Sequence, residues 1–193
     1  MSAKSGSTTT AAAQVPRLQQ RYQQDIAPAL MKRFGVTNRL AAPRLVKIVL
    51  NIGCGEAAHD AKVLEEAQEH LAQITGQRSV VTRAKTAISN FKIREGDPVG
   101  CKVTLRRVRM YQFLERLISI ALPRIRDFRG LPKRGFDHTG NYTFGIRDHA
   151  IFVELNPDDI HFSLGMDITV VTTAGSPDQS RALLEAFGFP FER

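Results

Sequence analysis

The hydrophobic and polar positions of this chain follow two periods, and each period predicts a different kind of element. A spacing of three to four residues predicts helices over about 17–34, 60–75 and 109–122, and a fourth helix that opens at Ser176. Alternation at every second residue predicts strands in "RLVKIVLNIGCGEA", near 78–83 and 98–108, and in "MDITVVTTA". "NYTFGIR" and "AIFVEL", separated by "DH", predict a β-hairpin.

Helices and strands alternate irregularly, which favours an α+β fold. We expect a single-domain sandwich in which one mostly antiparallel sheet carries helices on one face and a basic loop protrudes from it. Pro28 is expected to interrupt or kink the first helix, and Gly35 to end it.

The alternation also divides the strands into two faces. Val46, Ile48, Leu50 and Ile52 point one way in the first strand, and Val99, Cys101, Val103 and Leu105 do so in the strand over 98–108. Lys47 and Asn51 point the other way, as do Lys102, Thr104 and Arg106. Burying lysine and arginine is costly, so this second face must be wet or must meet a partner.

Length and composition are those of an ordinary globular protein. The 193 residues, 42% hydrophobic and 24% charged, suffice for one domain, which we place at 16–193. Residues 1–15 are small, hydroxylated and without a period, so we expect a disordered N-terminal extension. This segment carries no acid, but it also lacks an Arg-rich amphipathic face, so an organellar transit peptide is the minor alternative. The sequence has no apolar run that predicts a membrane span.

Charge is concentrated in one region of the chain. The net charge is +8, and residues 78–109 hold nine Lys and Arg against two acids, whereas residues 151–193 hold two against seven. A localised basic region is typical of proteins that bind polyanions, because each paired phosphate releases counterions. A solvated basic face on a protein with another task remains the alternative.

Catalytic and metal-binding patterns are weak. "GCGEA" at 53–57 lacks both the third glycine of a dinucleotide fingerprint and the Gly-Lys-Ser/Thr of a P-loop, which favours a tight turn over a nucleotide-binding enzyme. The five histidines are dispersed and are expected to be solvated, and the two cysteines are expected to be buried thiols. We therefore predict no enzyme, no metal and no cofactor.

The side chains on the polar face and on the helices indicate which kind of nucleic acid the protein binds. The polar strand face carries no aromatic side chain for stacking single-stranded bases, and the chain has no Trp and only three Tyr. No helix shows a recognition face for the DNA major groove. Lysine, arginine, asparagine and threonine suit phosphates and 2′-hydroxyls, so folded RNA is the predicted partner.

Long motifs support this reading. "PRLVKIVLNIGCGEA", "LAQITGQRSVVTRAKTAISNFKIREGDPVGCKVTLR", "RIRDFRGL", "GNYTFGI" and "GMDITVVTTA" closely resemble the bacterial L-five family of large-subunit ribosomal proteins. The resemblance runs from about residue 17 to "FGFPF". It implies a non-catalytic constituent of the cytoplasmic bacterial ribosome, with an organellar ribosome as the less favoured setting.

The resemblance also implies partners: 5S rRNA in the central protuberance, 23S rRNA, the peptidyl-site tRNA, neighbouring large-subunit proteins and a small-subunit protein at an intersubunit bridge. An RNA-handling factor away from the ribosome is the alternative that the same surface chemistry allows.

Carried over to this chain, the resemblance assigns residues to three groups. The 5S rRNA-binding residues are Arg44, Lys47, Asn51, Gly53, Gln77, Lys102, Thr104 and Arg106. The tRNA-contacting loop is Thr82, Arg83, Ala84, Lys85, Thr86, Ser89, Asn90, Phe91 and Lys92. Candidates for additional rRNA contacts are Arg124, Arg126 and Arg129.

Two of these assignments leave alternatives open. Asn51 either meets RNA or bonds its own turn, and Phe91 either stacks on RNA or packs back onto the body of the protein.

Overall fold

One five-stranded sheet organises the protein, in a computed structural model that describes residues 15–55 and 61–192. The strands are β1 (Leu45–Gly53), β2 (Val80–Arg83), β3 (Pro98–Leu105), β4 (Tyr142–Ile146) and β5 (Met166–Thr172). They lie in the order β2-β3-β1-β5-β4, and every neighbouring pair is antiparallel. The predicted antiparallel α+β fold is confirmed.

Helices bury the apolar side of this sheet. They are α1 (Arg17–Arg21), α2 (Ala27–Phe34), α3 (Ala61–Thr75), α4 (Arg107–Arg116) and α5 (Pro177–Phe187). Ile48, Leu50 and Ile52 of β1 are completely buried, and they belong to one core cluster with helical residues such as Leu71 and Leu114. The alternation in β1 therefore leaves its other side chains on the open face of the sheet.

The first helical segment contains a wide turn ahead of its proline. Residues Tyr22–Ile26 form a π-helix between α1 and α2, and Pro28 lies in the first turn of α2. Proline lacks an N–H and crowds the carbonyl four residues earlier, and a π turn is one way for a helix to accommodate this. The segment ends at Gly35, which has φ +65°, as predicted.

The predicted hairpin of "NYTFGIR" with "AIFVEL" is wrong. β4 pairs with β5 instead, and residues His149–Ile151 form a 3-10 helix. The apolar residues of "AIFVEL" alternate less strictly than a strand requires, and the structure buries Phe152 and Leu155 while leaving Val153 exposed. A short apolar run does not distinguish a strand from a compact buried turn.

Two details of the strands also differ from the prediction: where β3 ends, and which residues of β1 are buried. β3 ends at Leu105 and α4 begins at Arg107, so the strand is shorter than 98–108. In β1 the register shifts between Leu45 and Lys47, and this bulge buries Leu45 and leaves Val46 only half-buried. Residues 1–14 lie outside the described part of the chain, so the predicted extension over 1–15 stays a prediction.

Candidate nucleic-acid interface

The two central basic strands lie side by side with their polar residues on the same face. β1 pairs with β3, which places Asn51 opposite Lys102 and Val49 opposite Thr104. Lys102 is exposed, whereas Asn51 and Thr104 are half-buried. Asn51 lies within β1 between two paired strands, so it is not a strand-end residue bonding its own turn.

Three other predicted residues, Arg44, Lys47 and Arg106, lie near the end of β1 and β3 that is marked by the pair of Ile48 and Leu105. Leu105 and Ile48 form the last pair between β3 and β1. Arg106 follows Leu105 and Lys47 precedes Ile48, so both residues lie at the same end of the two strands. Arg44 is exposed at the start of β1, and its backbone N–H donates to the Thr173 hydroxyl at 3.0 Å. These residues extend the cationic surface past the ends of the strands.

Gln77 and Gly53 lie at two different margins of this region. Gln77 follows α3, and its carbonyl accepts a hydrogen bond from the Thr75 hydroxyl at 3.1 Å. It precedes β2, whose Val80 lies opposite Lys102. Gly53 is exposed at the end of β1, opposite Gly100.

The open face is wider than the sequence prediction made it. β5 adds Asp167, Thr169 and Val171, which lie opposite Asn51, Val49 and Lys47, and β4 adds Thr143 and Gly145. The hydroxyls of Thr143 and Thr169 are 3.1 Å apart. Alternation in "MDITVVT" marks the β5 positions, but only the pairing of β5 with β1 shows that they adjoin the basic strands.

Thr82 belongs to this face and not to the loop to which the prediction assigned it. It lies within β2 opposite Gly100, next to the strand that carries Lys102. Its side chain is half-buried. The remaining predicted loop residues lie beyond β2 or at its last residue, Arg83.

The basic loop continues the sheet as a narrow hairpin. The N–H of Ala84 donates to the Asp97 carbonyl at 2.8 Å, and that of Gly96 donates to the Ala84 carbonyl at 3.0 Å. Ile88 and Ile93 form a further antiparallel bridge. The tip is a 3-10 turn over Ser89–Phe91, followed by Lys92 in the left-handed conformation with φ 54°. These bonds make the loop a continuation of the β2–β3 pair.

Cationic and aromatic groups are displayed along this hairpin. Lys85 and Lys92 are exposed, as are Thr86, Ser89 and Asn90, whereas Ala84 is half-buried. Arg83 is exposed and also donates through Nη1 to the Gly96 carbonyl at 2.9 Å. Phe91 is 68% exposed, so its ring does not pack back onto the body of the protein.

Arg124, Arg126 and Arg129 are all exposed in the segment after α4. Arg124 donates through Nη1 to the Ile151 carbonyl at 2.9 Å. Nearby, Leu131 pairs with Phe191 in a parallel bridge, which ties this segment to the C-terminal residues. The arginines are therefore presented by an anchored segment.

Two histidines depart from the expectation that they are solvated. His70 and His149 are buried, and their ring nitrogens Nδ1 and Nε2 are 2.8 Å apart. His138 and His161 are exposed, and His59 lies outside the described residues. Across residues 15–55 and 61–192, no group of three or more His, Cys, Asp or Glu is placed to hold a metal ion.

Both cysteines are buried free thiols, as predicted. Burial, followed by the neighbouring Cys54, raises the pKa of Cys101 to about 12, so this thiol is a poor nucleophile at neutral pH. No helix in the described part of the chain is long and apolar enough to cross a membrane.

Comparison with known proteins identifies the class. The family model described as "Ribosomal protein L5" matches residues 38–94, and the model of the C-terminus of the same ribosomal family matches residues 98–191. β1 and β2 fall in the first match and the other strands in the second, so both matched regions build one sheet. The chain is a ribosomal protein.

Individual relatives make the assignment specific. The "Large ribosomal subunit protein uL5" of Kocuria rhizophila is 52% identical over 186 residues, which are 96% of this chain and 98% of that protein. The proteins of the same name from Xylella fastidiosa (strain 9a5c) and Methylococcus capsulatus are 52% and 55% identical over 175 residues, 91% of this chain and 98% of each relative. The chain belongs to the ribosomal protein L5 family.

Membership of this family makes the chain a structural, non-enzymatic constituent of the large ribosomal subunit. The predicted location in the cytoplasmic bacterial ribosome agrees with these relatives.

Proposed function

We propose that the open face of the sheet binds 5S rRNA and that the basic hairpin reaches the peptidyl-site tRNA. In this proposal the protein anchors 5S rRNA in the central protuberance and contacts 23S rRNA through residues such as Arg124, Arg126 and Arg129. Neighbouring large-subunit proteins and a small-subunit protein at an intersubunit bridge complete the proposed partners.

The pairing of β1 with β3 is the observation that carries the proposal. It gathers Lys102, Asn51 and Thr104 on one exposed surface, with Lys47 and Arg106 at its end. Ammonium and guanidinium groups neutralise phosphates, whereas short amide and hydroxyl side chains can bond a ribose or a base edge. The surface therefore combines charge for affinity with short polar groups for recognition.

The composition of this surface favours folded RNA over a single strand. On the five strands that the structure describes, the residues of the open face include no aromatic side chain. Single-strand platforms use aromatic rings to stack bases, whereas structured RNA is recognised through phosphates, 2′-hydroxyls and shape. A helical or otherwise folded region of RNA fits a face of this kind.

The hairpin supports a second and separate contact. Its backbone bonds extend it from the outer pair of strands, β2 and β3, and its tip displays Lys92 and Phe91. Lys85 is exposed on the approach to the tip, where it would meet a phosphate. A nucleic acid bound at the tip is thus distinct from one lying on the open face.

The two contacts are separated by measuring binding of the purified protein to 5S rRNA in competition with tRNA at several salt concentrations. We expect preference for 5S rRNA, loss of that preference in Asn51→Ala, and little change in 5S affinity in Lys85→Ala. Equal binding of all RNAs, with Asn51→Ala behaving as the unchanged protein, would overturn the assignment of the sheet face.

A further inference from the structure

Asp167 is a negative charge in the middle of the proposed RNA-binding face. It lies on β5 opposite Asn51 of β1 on one side and opposite Gly145 of β4 on the other. Its side chain is exposed. The row across the five strands therefore reads Val80, Lys102, Asn51, Asp167, Gly145: an apolar side chain, a cation, an amide, a carboxylate and a residue without a side chain.

The carboxylate of Asp167 has no partner in the described part of the chain. Among the residues that the structure describes, Asp167 makes neither an ion pair nor a side-chain hydrogen bond. Lys102 lies two strands away, about 10 Å at the usual spacing between strands. No ion pair or side-chain hydrogen bond with a described residue accounts for a carboxylate at this position.

A carboxylate on such a face distinguishes the groups of a nucleotide. It repels phosphates, but it accepts hydrogen bonds from donors, which RNA provides as ribose 2′-hydroxyls and as base amino groups. The carboxylate lies close to the neighbouring Gly145, since a Cβ at residue 145 would be only 3.3 Å from Asp167 Oδ1, and the glycine places no side chain against it. A sugar or base edge can therefore approach the carboxylate from the β4 side.

We propose that Asp167 is a specificity-determining residue that accepts a hydrogen bond from a 2′-hydroxyl or base amino group of the bound RNA. In this arrangement Lys102, two strands away in the same row, holds a phosphate, and Asn51 lies between the two side chains. The inference rests on the proposed binding of folded RNA to this face, and it adds the polarity with which the RNA lies across the strands.

Removing the charge of Asp167 should change RNA affinity in opposite directions, depending on whether the carboxylate only repels phosphates or accepts a hydrogen bond. If Asp167 only repels phosphates, Asp167→Ala tightens binding to every RNA. If Asp167 accepts a hydrogen bond, the same change weakens binding to 5S rRNA by about tenfold or more and leaves binding to a tRNA competitor unchanged or tighter.

The experiment measures the affinities of the full chain, Asp167→Ala and Asp167→Asn for 5S rRNA and for tRNA at one salt concentration. Glu69→Ala is the matched control, because Glu69 is an exposed acid on α3, a helix packed on the covered side of the sheet. Thermal unfolding of each variant checks that the fold is intact, and Asp167→Asn keeps the size of the side chain. The inference is supported if Asp167→Ala loses preference for 5S rRNA, Asp167→Asn, which keeps one acceptor oxygen, loses less of it, and Glu69→Ala loses none.

Two results would overturn the proposed role of Asp167, and only one of them would also overturn the proposed function. If the unchanged protein prefers 5S rRNA but Asp167→Ala binds it equally well or more tightly, the inference alone fails. If the unchanged protein shows no preference for 5S rRNA, the proposed function fails and the inference falls with it.

Modified 5S rRNAs then identify the donor. Molecules with scattered 2′-deoxy positions test the ribose, and molecules with base analogues lacking one amino group test the base edge. A position that weakens binding to the unchanged protein but not to Asp167→Ala identifies the donor. If every position affects both proteins equally, Asp167 contacts no donor and the proposal is wrong.

Discussion

His70 Nδ1 and His149 Nε2 lie 2.8 Å apart and join helix α3 to the segment after β4 through a buried hydrogen bond. His149 Nδ1 is also 3.1 Å from the Leu164 carbonyl, an acceptor that requires a proton on that nitrogen. The Leu164 N–H approaches the same nitrogen at 3.3 Å, which is the longer of the two contacts. This assigns Nε2 of a neutral His149 as the acceptor from His70 Nδ1–H. The pair connects two parts of the core.

Acidification is expected to destabilise the protein through this pair. Burial, followed by the neighbouring His70, lowers the pKa of His149 from 6.5, although Leu164, Asp148 and Glu66 act in the opposite direction. Below pH 6.5 the unfolded chain binds a proton that the folded chain does not. The stabilising contribution is therefore complete above pH 6.5 and is lost as the pH falls through the window between 6.5 and the lowered pKa.

Urea unfolding between about pH 8 and pH 5 measures this effect. The slope of the unfolding free energy from one such proton is at most about 1.4 kcal/mol per pH unit. His149→Gln should be less stable at the alkaline end but should depend less on pH, whereas His138→Gln, which changes an exposed histidine, should follow the unchanged protein. Identical pH profiles for the unchanged protein and His149→Gln would contradict the assignment.

Gly100→Ala is expected to destabilise the sheet by about 1–3 kcal/mol. A Cβ at this position would lie 2.4 Å from the backbone carbonyl oxygen of Ile52, and backbone cannot move aside as a flexible side chain can. Gly53→Ala is the matched control in the paired position, because a Cβ there meets nothing within 4 Å. Chemical unfolding of the two variants should separate them, and equal stability would show that β1 and β3 relax at low cost.

Much of this fold could be predicted from local patterns. The alternation around Ile48 and Leu50 defined β1, and Gly35 and Ser176 defined the end of one helix and the start of another. These features depend on neighbouring residues along the chain, so sequence alone carries them. The segment "AIFVEL" was mispredicted because burying Phe152 and Leu155 in a turn uses the same residue types as a strand.

The arrangement across the sheet could not be predicted in the same way. Sequence placed Lys102 and Asn51 on polar faces, but the position of Asp167 beside them depends on β5 pairing with β1. His70 and His149 are 79 residues apart, and no local spacing brings them together. Residues that meet through strand order or tertiary packing are therefore the ones that sequence analysis missed.

Phe91→Ala should leave the stability of the protein unchanged within about 0.5 kcal/mol. The ring is 68% exposed at the tip of the hairpin, so truncation removes little packing. Phe113→Ala is the comparison, because that ring is 1% exposed and its truncation should cost about 3–5 kcal/mol. Thermal unfolding measures both, and a large loss in Phe91→Ala would mean that the tip folds back onto the body.

Neither thiol should react with a disulfide reagent at about pH 8 while the protein is folded. Cys54 and Cys101 are both buried, and the pKa of Cys101 is raised to about 12 by burial and then by Cys54. Reaction requires an accessible thiolate, so both should react only after unfolding in urea. Cys54→Ala isolates the second thiol, and rapid labelling of that folded variant would contradict the burial of Cys101.

Salt dependence should distinguish the two side chains that face each other across β1 and β3. If the open face pairs about five phosphates, the logarithm of 5S affinity falls with the logarithm of salt at a slope of about −4. Lys102→Ala should reduce the magnitude of that slope by about 0.7–0.9, because one counterion fewer is released. Asn51→Ala should weaken binding at every salt concentration with the slope unchanged, since an amide releases no counterion. Filter binding over a salt series measures both slopes, and a reduced slope in Asn51→Ala would mean that losing this amide displaces phosphates from the neighbouring cations.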